Sequence, residues 1–448
     1  MIGESVDNPV APSDVLPADI AILHLLRLDP DRWQVDGISV DQGQLGTFPD
    51  SDPDAPVLEF SSDTVRSIDL GWAVIHVSMR HGLRHECGKC GGPMQVNKWV
   101  KNTYSSSPLC LSETFVSVSV PQLHCPECGG YPKARCPLVV RDHTYTRLLK
   151  LGVMQTLSQE TVKATSEAHR VGPWIVGDIL AGSIEEGKGR QDLSGVDTLY
   201  IDEIQFGHGQ DYVTMVADQD HRMICGVKGN DMKSVEDVAD YLESKDFDTS
   251  RIKWVCSDMS VPYKAGIRKR FGKAKQILDK FHLTKLVNTA LDYARKRTNR
   301  ELKKMGLEFP KKVKYTVLFR AENQDERHRA RMEQIRMLNP ELAQAFDLKE
   351  EFAGFFECGD KHEARSFFMR WYNRVRGSGI PELMDASRRL LKRLNEMLRW
   401  FDHRISNGVA EGMNNTYKKI KSAAYGFRNA GNFIDLCLYR KGRLDLSL

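Results

Sequence analysis

The chain has 448 residues, 41% of them hydrophobic and 28% charged, with a net charge of +4; this length points to roughly three domains with real cores. No apolar run approaches the ~20 residues of a membrane span. The N-terminus also lacks the basic start and apolar centre of a secretion signal, so the expected setting is the cytoplasm, with no membrane partner. The charge is uneven: residues 1–60 hold twelve acids and two bases, Arg27 and Arg32, a net of −10, which leaves +14 for the remainder. Such a body attracts polyanions such as DNA by counterion release, or is simply a solvated basic surface.

Residues 1–80 read as an acidic N-terminal region of small α+β character, with residues 1–13 unstructured. A helical patch covers Ile20–Leu28, strand-like alternation follows, and an acidic loop with prolines spans Pro49–Pro56. Residues 81–143 carry a pattern of cysteines. Ten cysteines in an intracellular chain suggest metal ligation before disulfides. Cys87-Gly-Lys-Cys90-Gly-Gly and Cys125-Pro-Glu-Cys128-Gly-Gly are near copies. In each, two thiolates reach one ion, and the following glycine permits the left-handed turn that aims N–H groups at sulfur. Together the four cysteines predict a closed, structural Zn²⁺ site. The 34 residues between the knuckles exceed the usual ~15–20, which requires an inserted hairpin or loop. Cys110 and Cys136 are spare, while Cys225, Cys256, Cys358 and Cys437 lie in apolar contexts as buried thiols.

Residues 144–183 predict three short helices, Tyr145–Thr156, Ser158–His169 and Pro173–Leu180, with Ser158 as an N-cap and Pro173 at a first helical position. This is either a helix-turn-helix that lays its last helix in a DNA major groove or a plain helical connector. Lys163, Arg170 and Trp174 are the candidate DNA contacts. Residues 184–195 read as a polar linker.

From residue 196 the period changes. Strands are predicted at Thr198–Phe206, Tyr212–Ala217, Met223–Lys228, Ile252–Cys256 and Ala274–Leu278. Helices are predicted at Ser234–Leu242 and Pro262–Phe271. Three successive strands followed by helix–strand alternation suit a mixed α/β sheet over residues 196–282. Residues 283–402 read as wholly helical, Pro381–Phe401 being one long example. Residues 403–448 form a closing helix and basic tail.

Three acids stand out: Asp202 within the apolar run TLYIDEIQF, Asp258 at the end of IKWVCSD, and Glu411 in the first turn of a helix starting near Asn407 or Gly408. Asp202 and Glu203 face opposite sides of a sheet. A charge in an apolar strand is costly unless paired or metal-bound, and strand ends are where ligands usually bind. Each acid also has a structural reading: Asp202 in an ion pair, Asp258 capping the helix near Pro262, Glu411 favouring a helix dipole. The order of strand Asp, strand-end Asp and helix Glu is the one an RNase H-like sheet uses to hold two Mg²⁺ (or Mn²⁺) ions for phosphodiester chemistry.

At YIDEIQFGHGQDYVTMVADQD, at VCSDMSVPYKAGIRKRFGKAKQILDKFHLTKLVNTALDYAR and at ISNGVAEGMNNTYKKIKSAAYGFRNAGNF the chain resembles the ISL-three group of bacterial insertion-sequence transposases, of the DDE class. FMRWYNRVRGSGIPEL adds to the likeness, which covers about residues 80–440. The resemblance implies an RNase H-like core with an all-helical insertion, preceded by a zinc-binding module and a helix-turn-helix. It assigns the catalytic triad to Asp202, Asp258 and Glu411, and it makes Asp279 and His282 of DKFH supporting groups or DNA-strand contacts; a core Asp–His pair is the alternative. Lys418, Lys419, Lys421 and Arg428 become phosphate contacts. The expected activity is binding of the element's terminal inverted repeats, metal-dependent cleavage and strand transfer into target DNA, by a homodimer or larger assembly near the nucleoid. The group carries a basic residue where this chain has Ser422, and another near Asp435, which bears on the DNA contacts of the tail. A catalytically silent DNA-binding regulator and an RNase H-fold nuclease are the alternatives.

Overall fold

The computed structural model describes residues 16–41, 69–206, 211–309, 311–403, 408–424, 427 and 429–446, with only the backbone of 403 and 408–411. The expectations for residues 1–13, for Pro49–Pro56 and for Arg428 lie outside the described residues. The chain divides into two compact units, Met1–Gly187 with Leu446–Leu448, and Lys188–Asp445. Among the described residues no helix is long and apolar enough to cross a membrane.

In the first unit, helix α1 (Ala18–Leu25) precedes strands β1 (Trp33–Asp41), β2 (Trp72–Met79), β3 (Gln95–Leu109) and β4 (Ser112–His124). They form one sheet in the order β1-β2-β4-β3, with β2 and β4 parallel and the other neighbours antiparallel. Alternation in FVSVSV turns Val116 and Val118 into the core with Val77, Trp33 and Leu23. The required insertion between the knuckles is the β3–β4 hairpin. It turns at Cys110 and Leu111, both left-handed (φ 50° and 69°), the geometry whose twist matches a two-residue hairpin loop.

Helices α2 (Arg147–Leu157), α3 (Val162–His169) and α4 (Pro173–Gly189) follow. The cap of α3 is Thr161, whose hydroxyl accepts the Ala164 N–H at 3.1 Å, and not Ser158. Ser158 keeps helical torsions and donates to the Gln155 carbonyl at 2.6 Å. Nor is the stretch after Ser183 a linker as far as Gly189. The buried positions Val176, Ile179, Leu180, Ser183, Ile184 and Gly187 continue one helical stripe, with the charges on the outer face.

In the second unit, strands β5 (Thr198–Gln205), β6 (Tyr212–Asp218), β7 (Met223–Lys228), β8 (Trp254–Ser257) and β9 (Lys275–Leu278) are ordered β7-β6-β5-β8-β9. β5, β6 and β7 are antiparallel, whereas β8 and β9 run parallel to β5. Helices α5 (Met232–Glu243) and α6 (Val261–Arg270) cover one face over Leu199, Ile201, Val216 and Val255. Gly266 lets the two helices touch, since a Cβ there would lie 2.6 Å from Val235 Cβ.

After β9 the chain runs through α7 (Lys280–Lys304), α8 (Val313–Leu318), α9 (Glu326–Leu338), α10 (Pro340–Ala353), α11 (Lys361–Ser378), α12 (Pro381–Leu391), α13 (Leu394–Leu398) and α14 (Trp400–His403). They share a core around Phe352, Phe355, Phe368 and Trp371, whose indole donates to the Leu348 carbonyl at 2.8 Å. Arg297 bonds to both Glu341 and Glu382 and so ties α7 to α10 and α12. The long helix expected over Pro381–Phe401 is three pieces. Arg393 leaves helical torsions (φ −117°, ψ 11°), and its guanidinium reaches the Met259 carbonyl at 3.3 Å.

Helices α15 (Gly408–Ala423) and α16 (Ala430–Lys441) return to the sheet. α15 contacts β5, and α16 contacts β7. Gly226 of β7 permits this approach, because a Cβ there would meet Ile434 Cγ2 at 2.9 Å.

Candidate active site

The parallel half of the second sheet brings three carboxylates level. The register that pairs Thr198 with Trp254 and Trp254 with Lys275, continued toward the strand ends, sets Asp202 beside Asp258 and Asp258 beside Asp279. Leu199 and Ile201 face α5 and α6, so alternation turns Asp202 to the opposite face. Glu203 turns back toward the helices, where it accepts from Asn230 Nδ2 at 2.8 Å.

Asp202 is half-buried and held at both oxygens. Oδ1 accepts the Glu203 N–H at 2.8 Å, and Oδ2 accepts from the Asn414 side-chain amide on α15. Among the described residues no Lys or Arg pairs with it. Asp258 lies one residue beyond β8, and its Oδ1 accepts the Ser260 N–H at 2.9 Å. It does not cap α6; that cap is the Ser260 hydroxyl. Asp279 caps α7 by accepting the Phe281 N–H at 2.9 Å, and its other oxygen lies 2.9 Å from His282 Nδ1.

The electrostatics tie these groups into one cluster. Burial pushes the Asp202 carboxyl up, and the charge of Asp279 adds to this against the pull of His282, Asn414 and the Glu203 N–H. Asp258 also rises, first through burial and further through the charges of Asp202 and Asp279, with the Ser260 N–H and His282 opposing. Burial works to lower His282, but the hydrogen bond it donates to Asp279 and the charges of Asp202, Asp279 and Asp258 outweigh it and raise the imidazole. Acids raised by burial and by one another are a site that favours a cation, and hard carboxylate oxygens suit Mg²⁺ or Mn²⁺.

Glu411 is in the first turn of α15, which begins at Gly408 as expected. It precedes Asn414 by three residues, so the two positions share a helix face. Sequence reasoning missed Asn414; its signal is that spacing from Glu411 within EGMNN. It also missed the buried Thr214–Tyr263 hydroxyl pair at 2.6 Å, which joins β6 to α6 beneath the sheet.

The other candidates are dispersed. Lys418 and Lys419 are exposed on α15, while Lys421 is engaged, donating to the Gln205 carbonyl at 2.6 Å. Asp435, near a position where a basic residue was expected, pairs with Lys188 at 3.6 Å. In the first unit Lys163 is exposed and lies 3.8 Å from Glu167. Arg170 ends α3 in a left-handed conformation (φ 51°), and Trp174 is 67% exposed.

The four cysteines converge. The Sγ atoms of Cys87, Cys90, Cys125 and Cys128 all lie within 4.8 Å of one another, with Cys90 and Cys125 3.6 Å apart. A tetrahedral ion with Zn–S bonds of about 2.3 Å sets its sulfurs roughly 3.8 Å apart. Each knuckle is closed by its own backbone: Cys87 N–H to Gly92 O at 2.9 Å and Gly91 N–H to Cys87 O at 2.8 Å, repeated as Cys125 to Gly130 at 3.1 Å and Gly129 to Cys125 at 2.9 Å. Gly91 and Gly129 take the left-handed turns (φ 72° and 66°). The N–H groups of Cys90 and Lys89 lower the Cys87 thiol to about 6, while the neighbouring Cys90 sulfur and burial push Cys128 up to about 12, a crowding of sulfurs that a bound cation would relieve. Among the described residues no other group of three or more His, Cys, Asp or Glu brings its ligand atoms so close.

A transposase family model of the ISL-three DDE type matches residues 199–436. The chain is also similar to the transposase for insertion sequence element IS1001 of Bordetella parapertussis, 25% identical over 352 residues, which cover 78% of this chain and 86% of the relative. A second relative is the transposase for insertion sequence element IS1557 of Mycobacterium tuberculosis (strain CDC 1551 / Oshkosh), 22% identical over 417 residues, 85% of this chain and 90% of the relative.

Proposed function

Since the chain belongs to the ISL-three family of DDE transposases, we propose that Asp202, Asp258 and Glu411 are its catalytic triad and would hold two Mg²⁺ or Mn²⁺ ions. Ions bound there supply charge that activates the attacking oxygen and stabilises the leaving oxygen of an in-line displacement. Asp202 is pre-oriented by Asn414 and by the Glu203 N–H. Asp258 is anchored by the Ser260 N–H through one oxygen. Asp279 orients His282 and favours its protonated form, which suits a nearby scissile phosphate. The observation that carries this reading is the bond from Asn414 to Asp202. It joins β5 to the helix on which Glu411 lies one turn away.

The strand order, with an antiparallel β5–β7 half and parallel β8 and β9, supports an RNase H-like core formed by residues 196–282 and 403–448 and interrupted by the helical insertion 283–402. Cys87, Cys90, Cys125 and Cys128 hold a structural Zn²⁺ in the module 81–143. The helices within 144–183 form a helix-turn-helix in which Lys163, Arg170 and Trp174 meet the terminal repeats of the element. Lys418, Lys419, Lys421 and Arg428 hold phosphates near the triad. Joining two ends to a target calls for a homodimer or a larger assembly on double-stranded DNA.

A cleavage and joining assay tests the whole. Purified protein is given DNA from both flanks of its own gene with Mg²⁺ or Mn²⁺, and Asp202→Ala serves as the control. The expected result is metal-dependent cutting and joining that the control lacks. Cutting without joining would point to a nuclease, and end binding without cutting by folded protein to a regulator.

A further inference from the structure

Beyond the triad and the trihelical region, the first unit contains an open cleft of about 1070 Å³. We propose that it is a seat for the phosphate backbone of duplex DNA, with Arg27, Arg32, Lys133 and Arg135 as its contacts, so that the acidic N-terminal region takes part in DNA binding. The inference deepens the reading of the first unit as the part that grips element ends, and it rests on that reading.

Charge is the first argument. Six Lys and Arg residues line the cleft, the four named together with Arg141 and Arg147, against two acids. One acid, Asp142, is paired with Arg141 at 3.4 Å. The other, Asp29, accepts the Asp31 N–H at 3.0 Å. Among the described residues, Arg27, Arg32, Lys133 and Arg135 have no carboxylate within ion-pair distance, and all four are exposed. Among the described residues the cleft therefore keeps an excess of positive charge.

Placement is the second. Residues 1–60 contain two bases among twelve acids, and both bases line this one cleft. Buried Leu26 and Leu28 flank exposed Arg27 and hold it outward in a left-handed conformation (φ 57°). The turn carrying Arg32 is fixed by Arg80, which donates to the Pro30 carbonyl at 2.7 Å. The rim is thus preorganised, which reduces the cost of binding. It continues to Arg147, the first residue of α2, and to His143, 2.9 Å from Asp178 of α4.

The occupant follows from what the cleft lacks. Proteins that hold single strands stack bases on exposed aromatic rings. Here Trp33 is buried and Tyr104 is half-buried. Cations without a stacking platform suit the phosphates of a duplex and carry no sequence information.

The salt dependence of binding is the test, because each phosphate contact contributes ~0.9 to the slope of log K against log salt. Zinc-loaded full-length protein is titrated with duplex DNA from its own flanks and with a scrambled duplex of equal length. The variant Arg27→Gln/Arg32→Gln/Lys133→Gln/Arg135→Gln is expected to lose about 3.6 from the slope on both duplexes, whereas Trp174→Ala weakens the flank DNA selectively. The single variants Arg27→Gln and Arg135→Gln, each expected to lose about 0.9, serve if the fourfold variant does not fold. An unchanged slope in folded variants of a protein that binds its flanks overturns the cleft and leaves the reading beneath it standing. A wild-type protein that binds neither duplex overturns both. A slope change seen only with a single strand of the same sequence, titrated in parallel, also overturns the proposal.

Discussion

The four thiols and the three carboxylates both gather negative charge, by opposite routes. Each thiol pair is built by six consecutive residues whose own backbone closes the turn and whose glycine takes the left-handed conformation. The carboxylates come from three strands whose parallel register alone brings them level. Their alignment is completed by Asn414, from a helix beyond the whole helical insertion. A locally encoded site survives as long as its turn survives, whereas a site made by register exists only once the sheet and its returning helix are assembled.

Breaking each route should therefore give a different failure. The largest effect is expected from Asp258→Asn, which removes a carboxylate without disturbing the strand and should lower cleavage ~10⁴-fold or more with end binding retained. A folded variant that loses both together would show Asp258 to be a DNA contact. Next, Cys87→Ser/Cys125→Ser should unfold the first unit, since structural zinc contributes about 10–16 kcal/mol to folding in small domains. Far-ultraviolet circular dichroism with zinc analysis would check it, and the second unit should keep its own thermal transition. Asn414→Ala should slow cleavage ~10- to 100-fold by removing a bond to a charged group worth about 1.5–3 kcal/mol, and Asn414→Asp should be worse, adding a carboxylate to the cluster. Single-turnover kinetics separate that loss from weaker DNA binding.

The smallest effect is one of stability. Because the fold raises the Asp202 carboxyl, through burial first, folding favours its protonated form. That contribution is complete below the ordinary carboxylate range and is lost as pH rises through the raised value. In chelator, Asp202→Asn should melt above wild type, by a margin that grows across that window. Added Mg²⁺ should close the gap by stabilising wild type alone. A gap independent of pH would mean that the gain comes from packing.

The same contrast explains what the sequence made legible. Knuckles, strands and the order of the three acids follow from local spacing and period-2 alternation, and each lies where those signals put it. Asn414 has no such signal, because an asparagine on a polar helix becomes distinctive only when that helix contacts β5. The break at Arg393 is likewise a tertiary effect, since the Met259 carbonyl that its guanidinium reaches is far away in sequence. Thr161 displaced Ser158 as a cap because both are good caps and the turn after α2 decided between them. The basic cleft was hidden by averaging, since two arginines vanish in the net charge of a region with twelve acids.

The position of α15 along the chain sets a clock on synthesis. At a translation rate of about 5–20 residues per second, the stretch from Asp258 to Asn414 takes roughly 8–30 s to make. Throughout that interval the ribosome displays a sheet that still lacks the helix carrying Asn414. On the proposed triad, chain order alone would thus tie the onset of cutting to synthesis of this late helix.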